Sequence, residues 1–167
     1  MNVDQILETF HRHHVAYLLI GGVNFLLRHA PVLTFDVDLW IDDTPQNRDR
    51  CEQALAELGA EWGTSDQDWA PVAEKSPGWT ASQGVFCLTS PLGAIDIFRS
   101  VRGLPSWDDC HARAEHGTTA LGVPFLELSD ADMLQCQMAL PEPERKQERI
   151  RILKQSLAKP DDEQSSR

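Results

Sequence analysis

Two runs decide how this chain folds: Leu18-Leu19-Ile20-Gly21-Gly22-Val23, and shortly after it Leu33-Thr34-Phe35-Asp36-Val37-Asp38-Leu39-Trp40-Ile41. The first continues an apolar stretch from Val15 and stops at two glycines, as a buried strand ending in a tight turn does. The second alternates in residue type, so Asp36 and Asp38 point to one face of a second strand. Between them, Val23 to His29 is long enough for a short helix, and Ala30-Pro31 ends it. Strand, glycine turn, helix and acidic strand in close succession predict an α/β (α+β) domain with a small mixed sheet flanked by helices.

Working outward, Val3, Ile6, Leu7 and Phe10 repeat at helical spacing and predict an amphipathic first helix. Cys51, Ala54, Leu55 and Leu58 predict another from Asn47, with Gly59 as its C-terminal cap. Trp62 to Gly84 has no period and reads as a long loop covering a site, with Lys75 its only Lys or Arg. Val85 to Thr89 and Ala94 to Phe98 flank Ser90-Pro91-Leu92-Gly93 and predict a hairpin. Residues 107 to 115 read as a short helix, and Thr118 to Leu121 and Val123 to Leu128 as small paired strands. Ser129 with Asp132 caps a helix through Leu140. Pro141-Glu142-Pro143 separates it from a last helix carrying Ile150, Leu153 and Leu157. The expected organisation is a domain over 1–128, C-terminal helices over 129–158 packed on it, and a disordered tail over 159–167.

The chain has 167 residues, 41% hydrophobic and 25% charged, which is ordinary for a globular domain with a real core. Its 15 Lys+Arg against 26 Asp+Glu give a net charge of −11, opposite to the footprint of a nonspecific DNA binder. The acidity is concentrated in the first 140 residues, whereas the remainder is nearly balanced. No apolar run is long enough to span a membrane, and Met1 to Glu8 is not a secretory leader, so a cytoplasmic location is expected. Cys51, Cys87, Cys110 and Cys136 form no CxxC pair and read as buried free thiols.

The chemistry suggested by the pattern is metal-dependent. Asp36 and Asp38 face one way, and Asp96 in Ala94-Ile95-Asp96-Ile97-Phe98 can join them from a neighbouring strand. Three carboxylates supply the hard oxygen ligands that Mg²⁺ or Mn²⁺ prefers, and a cation offsets their mutual repulsion. Gly21 and Gly22, at a strand end before a helix, can bring backbone N–H groups to a phosphate. Asn24 is a further candidate contact, and the Arg145, Lys146, Arg149 and Arg151 helix face is either solvated or in reach of phosphates. An EF-hand reading of Asp36 to Asp43 fails, because Trp40 and Ile41 stand where a ligand and a glycine are needed. His11, His13 and His14 suit a helix C-terminus electrostatically, and His111 and His116 have no recognisable partner.

Gly21-Gly22, Asp36-Val37-Asp38 and Asp96, in that order, resemble the minimal nucleotidyltransferases of the DNA polymerase β superfamily over roughly residues 1 to 155. Leu18 to Val23 and Thr34 to Leu39 are especially similar to stand-alone bacterial nucleotidyltransferase-like proteins, including the abortive-infection toxins of type IV toxin–antitoxin systems. The resemblance implies that Asp36, Asp38 and Asp96 hold Mg²⁺ or Mn²⁺ and are catalytic, with Asp96 helping to deprotonate an acceptor hydroxyl. It implies that Gly21, Gly22, Asn24, Arg145 and Lys146 contact an NTP, and that the acceptor is a tRNA end, a protein hydroxyl or a small molecule such as an aminoglycoside. A cognate antitoxin would be a partner. Val32 stands where many relatives have Arg, and Gln137 where they often have Lys. Those departures support a second reading, a relative that binds nucleotide or a partner protein without turnover. A glycosyltransferase reading of Asp-x-Asp fits poorly with so short a chain.

Overall fold

The first element, α1 (Val3–Arg12), buries Ile6, Leu7 and Phe10 completely. The side chain of Asn2 caps it by accepting from the Gln5 N–H. In this computed structural model, which describes residues 1–65 and 67–158, β1 (Tyr17–Ile20) is buried throughout and runs directly into α2 (Gly21–Arg28). Then come β2 (Asp36–Ile41) and α3 (Pro45–Glu57), the latter capped by Thr44 with proline in its first turn. Two short strands, β3 (Glu61–Trp62) and β4 (Ala70–Pro71), pair with each other. The hairpin of β5 (Val85–Leu88) and β6 (Ala94–Phe98) follows, then α4 (Trp107–His111), β7 (Glu115–Thr118) and β8 (Pro124–Glu127). The last elements are α5 (Asp130–Ala139), capped by Ser129, and α6 (Gln147–Leu157).

The main sheet has six strands in the order β5-β6-β2-β1-β8-β7. It is mixed: β2 with β6 and β1 with β8 are parallel, and the other neighbours are antiparallel. Alternation divides its side chains between two cores. Leu19, Val37, Leu39, Ile95 and Ile97 face α1 and α3 on one side. Leu18, Ile20 and Trp40 face Phe25, Met133 and Leu153 from α2, α5 and α6 on the other. The C-terminal helices therefore lie on the face that carries Asp36, Asp38 and Asp96, since these share the parity of Trp40 and Phe98.

Several expectations change. The stretch from Trp62 to Gly84 contains β3, β4 and 3₁₀ turns at Val72–Glu74 and Trp79–Ala81, and it does not cover the acidic face. Trp62, stacked on Trp79 at 5.4 Å, and Val72 join the α1 and α3 core on the opposite side. Glu52 holds it there, accepting from Gly78 N–H, Thr80 N–H and the Thr80 hydroxyl. The β7 strand begins before Thr118, and Leu157 is exposed, leaving Ile150 and Leu153 as the buried stripe of α6. Cys87 is exposed rather than buried. The expected tail, 159–167, lies outside the described residues.

Candidate active site

Parallel pairing of β2 with β6 aligns Asp36 with Ala94 and Asp38 with Asp96. Directly paired residues point to the same face, and Asp36 follows at the next position of that face, so one carboxylate oxygen from each of Asp36, Asp38 and Asp96 lies within 4.8 Å of the others. All three are partly buried. This is the one group of three or more metal-competent side chains among the described residues, and it contains oxygen ligands alone.

The geometry strains the charge. Burial, and then the charge of Asp36, push the Asp38 carboxyl up to about 6, against the pull of the Gly22 N–H and of Arg149. Burial also raises Asp96, partly opposed by a hydrogen bond from the Cys87 thiol. Cys87 pairs with Asp96 across β5 and β6, and its thiol is itself pushed up to about 11, so it stays an S–H donor at neutral pH. A divalent cation would relieve this crowding, and a set of three carboxylates is the chemistry such a cation prefers.

The two glycines are needed here for space as well as conformation. Gly21 has φ +69°, and a Cβ there would collide with the Asp38 carboxylate. Gly22 donates its N–H to Asp38 Oδ2 at 3.3 Å, and a Cβ there would collide with Thr34 Oγ1. Thr34 in turn donates to Asp36 Oδ1 at 3.1 Å, which orients the outer carboxylate. The first turn of α2 thus already presents a backbone donor to the acidic cluster.

The remaining sequence candidates separate. Asn24 is fully buried and donates to the carbonyls of Leu19 (3.1 Å) and Leu128 (3.0 Å), so it ties β1 to the segment after β8 and does not face the carboxylates. Arg145 donates to Leu140 O and Met138 O, closing the C-terminal end of α5, where orphan carbonyls need donors. The backbone N–H of Lys146 is held by Gln137 Oε1. Among the described residues, the cation that reaches the site is Arg149, half-buried on α6 over the Phe25 ring at 5.2 Å. A Cβ on Gly22 would stand 3.6 Å from its guanidinium. Burial lowers Arg149, and the charges of Asp38 and Asp36 oppose that. The sequence signal was present in the basic run 145–151 but did not say which member turns inward. Beside Arg149 and Asp38, a cavity of about 150 Å³ opens between the sheet and the C-terminal helices, with Gly21, Phe98, Met133 and Gln137 in its lining.

A solved structure similar to this chain is that of a Thermotoga maritima protein described provisionally as a nucleotidyltransferase. The TM-score is 0.53 at 17% identity, with 92% of this chain and 88% of that chain covered. The likeness is one of fold, and the architecture described above is nucleotidyltransferase-like. No protein-family model matches the sequence, and no curated protein does. No helix among the described residues is long and apolar enough to cross a membrane.

Proposed function

We propose that this chain transfers a nucleoside monophosphate from an NTP to a hydroxyl acceptor, using Mg²⁺ or Mn²⁺ held by Asp36, Asp38 and Asp96. The observation that carries the reading is the convergence of those carboxylates beside the N-terminus of α2 on a nucleotidyltransferase-like fold. When bound, the metal supplies charge neutralisation for phosphate oxygens and lowers the cost of the leaving pyrophosphate.

The chain's own residues do the rest. Asp36 and Asp38 anchor the cation, with Thr34 orienting Asp36 and Gly22 orienting Asp38. Asp96, brought to the pair from the neighbouring strand, completes the metal site and helps to take the acceptor proton. Gly21 and Gly22 let phosphate approach the backbone closely, and Arg149 adds the fixed positive charge that Val32 and Gln137 do not. The net charge of −11 favours a cationic small molecule or a protein hydroxyl over long nucleic acid as acceptor. The toxin resemblance makes a protein or tRNA acceptor with a cognate antitoxin the next candidate.

Incubation of the purified protein with each labelled NTP, Mn²⁺ or Mg²⁺ and a cell extract tests the reading. A labelled acceptor that disappears with Asp96→Asn is the expected result. NTP- and metal-dependent stabilisation with no labelled product from any NTP would replace it with the nucleotide-binding, non-transferring reading.

A further inference from the structure

The lining of the cavity beside Asp38, about 150 Å³ in volume, divides by exposure. Gly21, Asp38, Gln137 and Arg149 are each partly exposed and form its mouth. Phe25, Met133 and Leu153, buried in the core shared by α2, α5 and α6, form its floor. Phe98 and Val101, both partly exposed and apolar, wall it on the β6 side.

Gln137 is a polar side chain in that lining with half of its amide already committed. Its Oε1 accepts the backbone N–H of Lys146 at 3.0 Å, and because an N–H needs an acceptor, this contact fixes which end of the amide is oxygen. The Nε2 group has no hydrogen-bond partner among the described residues, so Gln137 brings a donor to a mostly apolar space. A ligand carbonyl is the natural partner for it.

We propose that this cavity holds the base of the nucleotide and selects a pyrimidine, with Gln137 Nε2 donating to the O2 carbonyl that uracil and cytosine share. The assignment rests on the transferase reading, which places phosphates and metal at Gly21 and Asp38, one ribose away from the base. Size decides between the base classes. An apolar space of about 150 Å³ holds a single benzene ring, so a six-membered base fills it and the second fused ring of a purine has no room above Phe25 and Leu153. The hydrogen bond orients the base. O2 lies beside the glycosidic bond, on the ribose side, and Gln137 is tied to Lys146, one helical turn before Arg149 at the mouth. A purine presents its N3 acceptor at the same place, so the volume selects and the amide positions. A cationic acceptor is disfavoured in this space, which would offer it apolar walls and the Arg149 guanidinium.

NMR of protein carrying ¹³C-methyl methionine tests this, because Met133 lines the cavity and Met1 is exposed outside it. Uridine and cytidine, added without metal, are expected to shift the Met133 methyl saturably at millimolar concentration while Met1 holds. Adenosine is expected to bind about fivefold more weakly or worse, the low end of an overpacking cost. Gln137→Glu keeps an oxygen for the Lys146 N–H and removes the donor, and it is expected to weaken uridine about fivefold with Tm held. Val101→Ala widens the cavity and is expected to strengthen adenosine relative to uridine. The proposal is overturned if neither pyrimidine nucleoside moves Met133, if adenosine binds as well as uridine, or if NTP with Mg²⁺ raises Tm while Met133 holds. That last result leaves the transferase reading standing. Uridine in the cavity with no gain from Mg²⁺ and a triphosphate does the opposite: it supports the pyrimidine site and removes the transferase reading.

Discussion

Asp38 stands where three influences meet: burial, the charge of Asp36, and the Gly22 N–H. Removing charge from the pair separates them. In the metal-free protein, Asp36→Asn with Asp38→Asn is expected to leave Tm unchanged or raised, because like-charge repulsion is relieved, while abolishing the Tm increase that Mn²⁺ plus NTP gives the wild type. A large fall in metal-free Tm would instead make the carboxylates structural. Protonation obeys the same logic. Because the folded-state pKa of Asp38 is raised to about 6 from the ordinary 3.8, metal must displace a proton below that value. Metal affinity measured by calorimetry is therefore expected to climb steeply from pH 5 to pH 7 and to level off above it, and a flat profile would remove Asp38 from the metal's ligands.

Among the elements, α6 shows most clearly what could and could not be foreseen. The spacing of Ile150 and Leu153 revealed its buried stripe, as the spacing in α1 did, because periodicity is written in the residues themselves. Which basic residue turns inward was not written there. Arg145 precedes the helix and spends its guanidinium on the end of α5, whereas Arg149 is placed by where α6 docks on Phe25. The expected consequence is a contrast: Arg149→Ala lowers NTP affinity by about tenfold, the value of one charged contact, and leaves Tm nearly unchanged, whereas Arg145→Ala lowers Tm and leaves NTP affinity alone. Equal effects on both readouts would contradict the assignment. The Asp36 and Asp38 pair was legible for the reason α1 was, since alternation put both on one face; that Asp96 shares it follows from the parallel register of β2 and β6, which joins residues far apart in sequence. The order in Trp62 to Gly84 was hidden because Glu52, in a different element, supplies its acceptors. Asn24 misled for a related reason: proximity to the glycines suggested a phosphate contact, yet its amide bridges Leu19 and Leu128, a partner distant in sequence.

For the whole molecule, the raised carboxyls set the pH of greatest stability. Glu127 is buried on β8 with Oε2 lacking a hydrogen-bond partner among the described residues, and burial pushes its carboxyl up to about 7, with Arg28 opposing the rise and Glu115 and Asp130 adding to it. A carboxyl whose folded pKa exceeds its unfolded one favours the native state while protonated, so this stability is present below about 4.5 and is lost as pH rises through about 7. Asp38 acts in the same direction up to about 6. The metal-free protein is thus expected to be more stable near pH 5 than near pH 8 in urea melts, and Glu127→Gln is expected to reduce the difference by roughly 1 to 3 kcal/mol. An unchanged pH slope in that variant would show that Glu127 is not responsible.

The register that sets Asp38 opposite Asp96 also governs when the site comes into being as the chain folds. These residues belong to parallel neighbours separated by α3, β3, β4 and β5, so their encounter requires closure of a long intervening segment and cannot be an early local event. Their repulsion is therefore absent from the unfolded chain and appears only as β6 docks on β2. If that docking lies before the folding barrier, mutual repulsion slows refolding, and Asp96→Asn speeds it. If docking follows the barrier, the same substitution leaves the refolding rate alone and slows unfolding instead. Stopped-flow chevrons of the two proteins would tell at which side of the barrier the three acids first meet.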